Sequence, residues 1–250
     1  MNPLDILETG AATLLAAGLA AGGYAYAAMW PASQIFGRAL TAPRNPETGP
    51  PEIALTFDDG PNPRWTPLLL ETLARYSVKA TFFLIGKYAA SQPALVRRIH
   101  EAGHVIGNHT WTHPNLAVTS SQRTREELAR TSAELEQMLG APVHYFRPPF
   151  GGRRPATLRI ARELGMQPVL WNAITSDWTA TEPEQITPRI TKLVEGHQRQ
   201  GFATDIVLHD GGHLSLDVDR SASVAAAGQM IERFSPTHRF VTLEEWKLAD

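Results

Sequence analysis

A regular alternation of short apolar runs with helical patterns, which begins near Glu52, is the feature that most constrains the fold. Apolar runs bounded by turn residues predict buried strands, and the amphipathic segments between them predict helices that cover a parallel sheet. Seven strands and six helices in this order favour an α/β fold of the (β/α) barrel type over an open sheet. The predicted strands span 53–59, 80–86, 104–109, 145–149, 168–173, 205–210 and 240–244, and the predicted helices span 66–76, 93–102, 123–139, 155–164, 184–195 and 220–234.

The chain that precedes this pattern differs from it in composition. Residues 11–30 are twenty residues without a charge, rich in Ala and Gly, and a run of that length can cross a bilayer as a helix. Residues 31–51 are rich in Pro and predict a linker. We therefore expect a hydrophobic segment over 1–30 that anchors the chain to a membrane, a linker, and one folded domain over 52–250.

Acidic residues flank the start of the uncharged run. A cleaved signal peptide carries Lys or Arg before its apolar stretch, whereas this chain has Asp5 and Glu8 there. An uncleaved anchor is therefore the expectation, and a surface or disordered leader is the alternative that a composition so poor in large aliphatic residues leaves open.

Charge and cysteine content exclude several classes of function. The net charge is −2 and no long Lys/Arg tract is present, so the electrostatic footprint of a nucleic-acid-binding protein is missing. The 250 residues include no cysteine, which excludes disulfide frameworks, thiolate zinc sites and cysteine nucleophiles. Any metal ion must therefore be held by histidines and carboxylates.

Polar residues collect where the predicted strands end. In βα folds the carboxyl ends of the strands meet at one rim, where catalytic and binding groups are found. Five polar clusters on one rim are hard to explain by chance. They are Thr56–Pro61, His109 with His113, Arg147–Gly151, Asp177–Trp178 and Leu208–Asp210.

The histidine pair and the carboxylate pair together predict a metal site. His109 and His113 are four residues apart, so both imidazoles can face one centre. Two histidines and one carboxylate leave positions open for water and substrate, as a catalytic zinc site requires. Asp58 and Asp59 are adjacent strand residues that point in opposite directions, so one is expected to bind metal and the other to act as a base. The alternative is that both merely cap the Asp-Gly-Pro turn.

The five clusters resemble, in order and spacing, the five motifs of the polysaccharide deacetylase family, also called NodB-homology or carbohydrate esterase family 4 enzymes. The resemblance spans roughly residues 52–246. It implies a distorted (β/α) barrel with fewer than eight strands, in agreement with the strand pattern. It also implies one divalent metal ion, for which zinc is the first expectation, and an acetylated polysaccharide or oligosaccharide as the substrate.

The resemblance further assigns roles to the first three clusters. The metal ligands of the family correspond to Asp59, His109 and His113 of this sequence. The general base of the family corresponds to Asp58, and the arginine that orients this base corresponds to Arg147.

The remaining assignments concern the acid and the acetyl pocket. The general acid of the family corresponds to His209, and the residue that tunes its pKa corresponds to Asp177. Leu208 and Trp178 are expected to line the pocket for the acetyl methyl group, and the backbone N–H of Phe150 is expected to bind the developing oxyanion.

Two further residues carry sequence-based expectations. Many relatives have an aspartate three residues before the Asp177 position, where this chain has Ile174, so the surroundings of the acid depart from the family pattern. His213, which follows the last motif, is expected to be a solvent-exposed loop histidine, and contact with the sugar is the alternative.

These residues predict a metal-dependent hydrolase that removes N-acetyl groups from N-acetylglucosamine-type residues of chitin oligomers, peptidoglycan or an exopolysaccharide, at the cell envelope. The alternatives are an O-acetyl esterase acting on xylan and a non-catalytic carbohydrate-binding homologue. A phosphoryl-transfer enzyme with Asp58 as nucleophile is a weaker alternative, because it would leave His109, His113 and His209 without a role.

The uncharged N-terminal run generates a test of location. Full-length protein is expected to fractionate with membranes, and a chain that begins near Pro46 is expected to be soluble and active. Cell fractionation followed by immunoblotting measures both. An intact, uncleaved protein found wholly in the soluble fraction would contradict the anchor.

Overall fold

One sheet of parallel strands organises residues 18–246, the part of the chain that the computed structural model describes. Every strand pairing in it is parallel. The strand order is β5-β4-β3-β2-β1-β7-β6, with β8 also paired to β1, and the sheet curls into a half-barrel, which confirms the predicted distorted (β/α) barrel. The strands are β1 Glu52–Gly60, β2 Thr81–Leu84, β3 Val105–Asn108, β4 Tyr145–Phe146, β5 Gln167–Pro168, β6 Ala173–Ile174, β7 Thr204–His209 and β8 Arg239–Val241.

The helices that follow residue 52 cover the outside of the sheet and bury an apolar face against it. Leu69 and Leu73 of the first domain helix and Val96 and Ile99 two helices later are fully buried against strand residues such as Phe82. This spacing of three and four residues is the pattern that predicted the helices. The helices are α1 (18–29), α2 Trp65–Arg75, α3 Gly86–Ser91, α4 Pro93–Glu101, α5 Ser121–Leu139, α6 Pro155–Glu163, α7 Thr187–Arg199 and α8 Ser221–Phe234.

The helix boundaries follow local signals, with two differences from the prediction. Ser120 caps α5 by accepting a hydrogen bond from the Arg123 N–H, and Gly140 ends the helix in the left-handed conformation. The predicted helix at 184–195 begins later, because Pro183–Gln185 forms a 3-10 turn before α7. The short helix α3 was not predicted from the sequence.

The strand predicted over 168–173 is instead two short strands at opposite ends of the sheet order. β5 pairs with β4, while β6 pairs with β7, so the chain between them crosses the opening of the half-barrel. Leu40 lies against this crossing segment. Its N–H donates to the Pro168 carbonyl at 2.8 Å, and the Leu170 N–H donates to the Leu40 carbonyl at 2.8 Å. One strand was predicted here because a continuous apolar run does not show that its two ends have different neighbours.

Residues before Glu52 pack against the rest of the fold. Ala39, Leu40 and Ala42 are buried, and Leu40 contacts the cluster that contains Phe83. A chain that begins near Pro46 would lack these contacts, which is a physical reason against the expectation that it stays active. The domain limits proposed from the sequence remain a prediction.

A buried arginine attaches the end of α1 to the same unit. Arg153 is fully buried, and its guanidinium donates to the carbonyl oxygens of Trp30 at 2.8 Å and Ser33 at 2.7 Å. The Arg153 backbone N–H donates to the Ala28 carbonyl at 2.9 Å. The end of α1 is therefore held beside the loop that follows β4.

Only part of the membrane anchor predicted over 11–30 falls within the described residues. Residues 11–17 lie outside the described residues. Between residues 18 and 246, no helix has both the length and the apolar character needed to cross a bilayer.

Leu40 tests the packing of the segment before Glu52. Leu40→Ala is expected to lower the free energy of unfolding by about 2–5 kcal/mol, because it removes a buried leucine that fills the opening of the half-barrel. Ile35→Ala, at an exposed position of the same segment, is the control, with an expected change within about 0.5 kcal/mol. Denaturant unfolding measures both, and equal small effects would show that the segment is not part of the folded unit.

Candidate active site

The end of β1 presents two aspartates in different directions. The pairing of β1 with β2 shifts register between Asp58 and Gly60, and Asp59 has a φ of 70°, in the left-handed region that L-residues rarely adopt. Asp58 accepts a hydrogen bond from Arg147 Nη1 at 2.9 Å. Asp59 Oδ1 instead lies 3.1 Å from Nε2 of His113. The two carboxylates therefore have different partners, as the alternation of strand residues predicted.

Asp59, His109 and His113 form a buried cluster whose ligand atoms lie within 4.8 Å of one another. His109 Nδ1 lies 2.8 Å from the carbonyl oxygen of Arg147. Because a carbonyl only accepts, Nδ1 carries the proton and Nε2 presents its lone pair to the cluster. Among the described residues, Asp59 Oδ1 is buried without a hydrogen-bond partner.

This donor set fits a divalent ion. Burial by itself raises the pKa of Asp59, but the nearby imidazoles of His109, His113 and His213 outweigh it and hold that pKa well below its usual range. Burial lowers the pKa of His113, more than Asp59 raises it, which favours the neutral imidazole that a metal requires. A carboxylate and two neutral imidazoles are typical ligands of catalytic zinc.

Arg147 lies between two carboxylates. Its side chain is fully buried, and Nη1 donates to Thr56 Oγ1 at 2.7 Å as well as to Asp58. Nη2 donates to Asp205 Oδ2 at 2.8 Å. Burial raises the pKa of Asp205 to about 6, although Arg147 and Thr56 lower it. The guanidinium is therefore held from both sides and fixes the position of Asp58.

His209 has the contacts expected of a protonated imidazole. Its Nδ1 lies 2.9 Å from Asp177 Oδ1, and the other carboxylate oxygen accepts from the His209 N–H at 2.8 Å and from Ser223 Oγ at 2.7 Å. Burial alone lowers the pKa of His209, but the Asp177 charge and hydrogen bond raise it to about 9. The pair is intact although Ile174 replaces the aspartate found in many relatives.

Seven of the ten residues predicted from the sequence line one cleft of about 560 Å³, namely Asp58, Asp59, His109, His113, Phe150, Trp178 and His209. Phe150 and Trp178 line it and are 48% and 45% exposed, which suits contact with a ligand. Leu208 was predicted to line the acetyl pocket. In the structure it is buried in the main hydrophobic cluster and does not line the cleft. The reason is that successive strand residues face opposite ways, and His209 is the one that reaches the cleft.

Three residues of the site were not identified from the sequence as functional. Asp205 is the second carboxylate partner of Arg147. The sequence feature that could have identified it is an acidic residue within an otherwise apolar strand. Asp210 is fully buried with a pKa raised by burial to about 7, and it accepts a hydrogen bond from Thr66. His213 was expected to be a plain loop residue, but it lines the cleft.

A parallel α/β half-barrel with a buried Asp-His-His cluster, a fixed carboxylate and a charged histidine around one cleft defines a hydrolase-like site. The sequence model of the polysaccharide deacetylase family matches residues 45–169. The chain is 35% identical to a peptidoglycan-N-acetylglucosamine deacetylase of Bacillus cereus, over 77% of this chain and 86% of the relative. The chain therefore belongs to the polysaccharide deacetylase family.

Other relatives differ in length and in substrate. A second Bacillus cereus peptidoglycan-N-acetylglucosamine deacetylase is 38% identical over 67% of this chain, which spans only 60% of that relative. A chitooligosaccharide deacetylase of Azorhizobium caulinodans is 37% identical over 64% of this chain and 73% of the relative.

Solved structures agree on the fold. A peptidoglycan N-acetylglucosamine deacetylase superposes with a TM-score of 0.71 at 34% identity, over 85% of this chain and 94% of that one. A family 4 acetyl xylan esterase from Clostridium thermocellum superposes with a TM-score of 0.66 at 31% identity, over 78% and 89%. A pseudoenzyme of the family from Bacillus anthracis gives 0.71 at 25% identity, over 83% and 69%.

The pair of His209 and Asp177 generates a test that does not depend on activity. Asp177→Asn is expected to lower the pKa of His209 by more than one unit from about 9, because the largest favourable influence on the imidazolium is lost. Ser223→Ala removes another hydrogen bond to Asp177 but no charge, and a much smaller shift is expected. Imidazole NMR titration measures both, and equal shifts would show that the Asp177 charge is not the cause.

Proposed function

We propose that this protein is a metal-dependent hydrolase that removes N-acetyl groups from N-acetylglucosamine-type residues of a polysaccharide and releases acetate. The observation that supports this most strongly is that two groups suited to opposite proton transfers, one to accept and one to donate a proton, lie around the Asp59-His109-His113 cluster. Asp58 is hydrogen-bonded and ion-paired to Arg147, and Asp177 holds His209 as an imidazolium.

A divalent ion on Asp59, His109 and His113 supplies Lewis acidity when bound, which polarises a carbonyl oxygen and lowers the pKa of a coordinated water. Zinc is our proposal for the ion, since two imidazoles and one carboxylate match its catalytic sites. These three residues are proposed as the metal ligands.

Asp58 is proposed as the general base. Hydrolysis of an acetamide requires a water molecule to lose a proton as its oxygen bonds to the carbonyl carbon, and a fixed carboxylate can accept that proton. Arg147 fixes Asp58 through Oδ1, which leaves the other carboxylate oxygen, Oδ2, for this task. Asp205 is proposed to hold Arg147 in place for it.

His209 is proposed as the general acid. When the tetrahedral adduct collapses, the carbon–nitrogen bond breaks and the amine must receive a proton to leave. A pKa of about 9 keeps His209 protonated at neutral pH, so it holds the proton that is needed. Negative charge on the carbonyl oxygen is proposed to receive a hydrogen bond from the Phe150 N–H. The products are acetate and a free amino sugar.

Aromatic side chains at the cleft support a sugar substrate. Trp178 and Phe150 are large, half-exposed and part of the cleft lining, and such rings provide apolar faces for a sugar ring or an acetyl methyl group. The relatives that act on peptidoglycan and chitooligosaccharides favour N-acetylglucosamine polymers. We propose the cell envelope as the place of action, with residues 11–30 as the anchor.

Two other functions are favoured by particular relatives. The acetyl xylan esterase supports O-deacetylation, which the same groups could perform. The family pseudoenzyme supports a non-catalytic role. The presence of Asp58 and Asp59 with their expected partners argues against loss of activity in this chain.

Acetate release from N-acetylated peptidoglycan, chitin oligomers and acetylated xylan tests the proposal. Release is expected from N-acetylglucosamine polymers, to be lost on chelation and restored by zinc. Asp58→Asn is expected to keep its zinc but to lower kcat by about 10²–10⁴-fold, because the base is removed and the shape is conserved. Asp217→Asn, the same change at an exposed loop position, is the control.

Three outcomes would contradict parts of this proposal. Full activity after exhaustive chelation would contradict metal dependence. Near-normal turnover by Asp58→Asn would contradict the base. Acetate release from xylan alone would replace the amide substrate by an ester.

A further inference from the structure

The loop after β7 brings His213 over the metal-binding cluster. A Cβ added at Gly211 would lie 2.1 Å from the Asp59 carbonyl oxygen, so the glycine permits the loop to touch the end of β1. The His213 carbonyl accepts hydrogen bonds from Tyr88 Oη at 3.1 Å and from Lys87 Nζ at 3.3 Å. The backbone of His213 is therefore held from β1 on one side and from α3 on the other.

The His213 ring points at the free side of the Asp59 carboxylate. Its Nδ1 lies 3.6 Å from Asp59 Oδ2, while the histidines of the cluster approach Oδ1. A separation of 3.6 Å is too long for a hydrogen bond. It is close to the roughly 3.4 Å that separates two ligands of one tetrahedral zinc ion with bonds of about 2.1 Å.

The His213 ring is as close to His113 as His113 is to His109, although the ring planes meet at 22° in the first pair and at 60° in the second. Ring centroids of His113 and His213 are 4.6 Å apart, and those of His109 and His113 are 4.9 Å apart. Phe150 packs its ring edge-on against both His113, at 4.6 Å, and His213, at 5.4 Å. His213 is thus placed next to the cluster as closely as the cluster histidines are to each other.

We propose that His213 is a fourth protein ligand of the metal ion in the substrate-free protein, bound through Nδ1. The inference rests on the proposed metal dependence. Among the described residues, the ligand atoms that lie within 4.8 Å of one another belong to Asp59, His109 and His113, and His213 joins this set by a rotation of its side chain. That side chain is 36% exposed and has room to make it.

The proposal has a consequence for access to the ion. Three protein ligands leave the fourth position of zinc open, whereas four protein ligands close a tetrahedral site. A substrate carbonyl must then displace the His213 imidazole or raise the coordination number to five. His213 therefore stabilises the bound ion while the cleft is empty and competes with substrate at the same position.

X-ray absorption spectroscopy of the zinc-loaded full-length protein counts the imidazoles directly. Three imidazoles per zinc are expected for the unaltered protein and two for His213→Ala. A count of two in the unaltered protein overturns the role of His213 and leaves the proposed function intact. Absence of zinc binding contradicts the proposed function itself, so the two failures are distinguishable.

Zinc affinity provides the second measurement. Chelator competition is expected to show a loss of at least about tenfold in His213→Ala and His213→Gln. Leu214→Ala, at the neighbouring and 87% exposed loop position, is the control and is expected to bind zinc as the unaltered protein does. Circular dichroism verifies that each variant is folded. Unchanged affinity in both folded His213 variants overturns the proposal.

Discussion

The buried guanidinium of Arg147 is the interaction on which the rest of the site depends. A fully buried cation needs opposite charge and hydrogen-bond acceptors beside it, and here Asp58, Asp205 and Thr56 supply them to Nη1 and Nη2 from two neighbouring strands. The carbonyl of the same residue accepts the hydrogen bond from His109 that sets the tautomer of that ring. One residue thus orders the carboxylate proposed as base and an imidazole proposed as metal ligand, so loss of its side chain would leave buried charges without a partner.

The rim also separates groups that must differ in protonation. Asp59 and His113 lie where burial and mutual contacts favour a carboxylate beside a neutral ring. His209 lies where Asp177 favours a charged ring. Desolvation opposes the charged form of each group: it prevails at His113, the nearby imidazoles outweigh it at Asp59, and the Asp177 charge outweighs it at His209. The left-handed backbone at Asp59 contributes to this separation, because it turns one of two consecutive carboxylates away from Arg147.

Much of this arrangement could be predicted from local sequence pattern. Strand ends mark the rim, so Asp58, His109 and His209 were identified by position together with residue type. The parts that could not be predicted depend on contacts between distant residues. The partnership of Arg147 with Asp205 joins residues 58 positions apart, and the place of Leu40 is set by a segment on the other side of the half-barrel. His213 was missed because the glycine that brings its loop onto β1 has no effect visible in the local pattern.

The hydrogen bonds of Arg153 fix the direction of α1 relative to the rest of the domain. The twelve described residues of α1, at 1.5 Å each, extend about 18 Å. Near its C-terminal end, the Ala28 carbonyl accepts a hydrogen bond from Arg153, whose guanidinium also donates to the Gly151 carbonyl beside the cleft. Arg153 thus joins α1 directly to the loop that carries Phe150. The direction of α1 relative to the cleft is therefore set by these buried hydrogen bonds, so the cleft and the N-terminal helix turn together as one body.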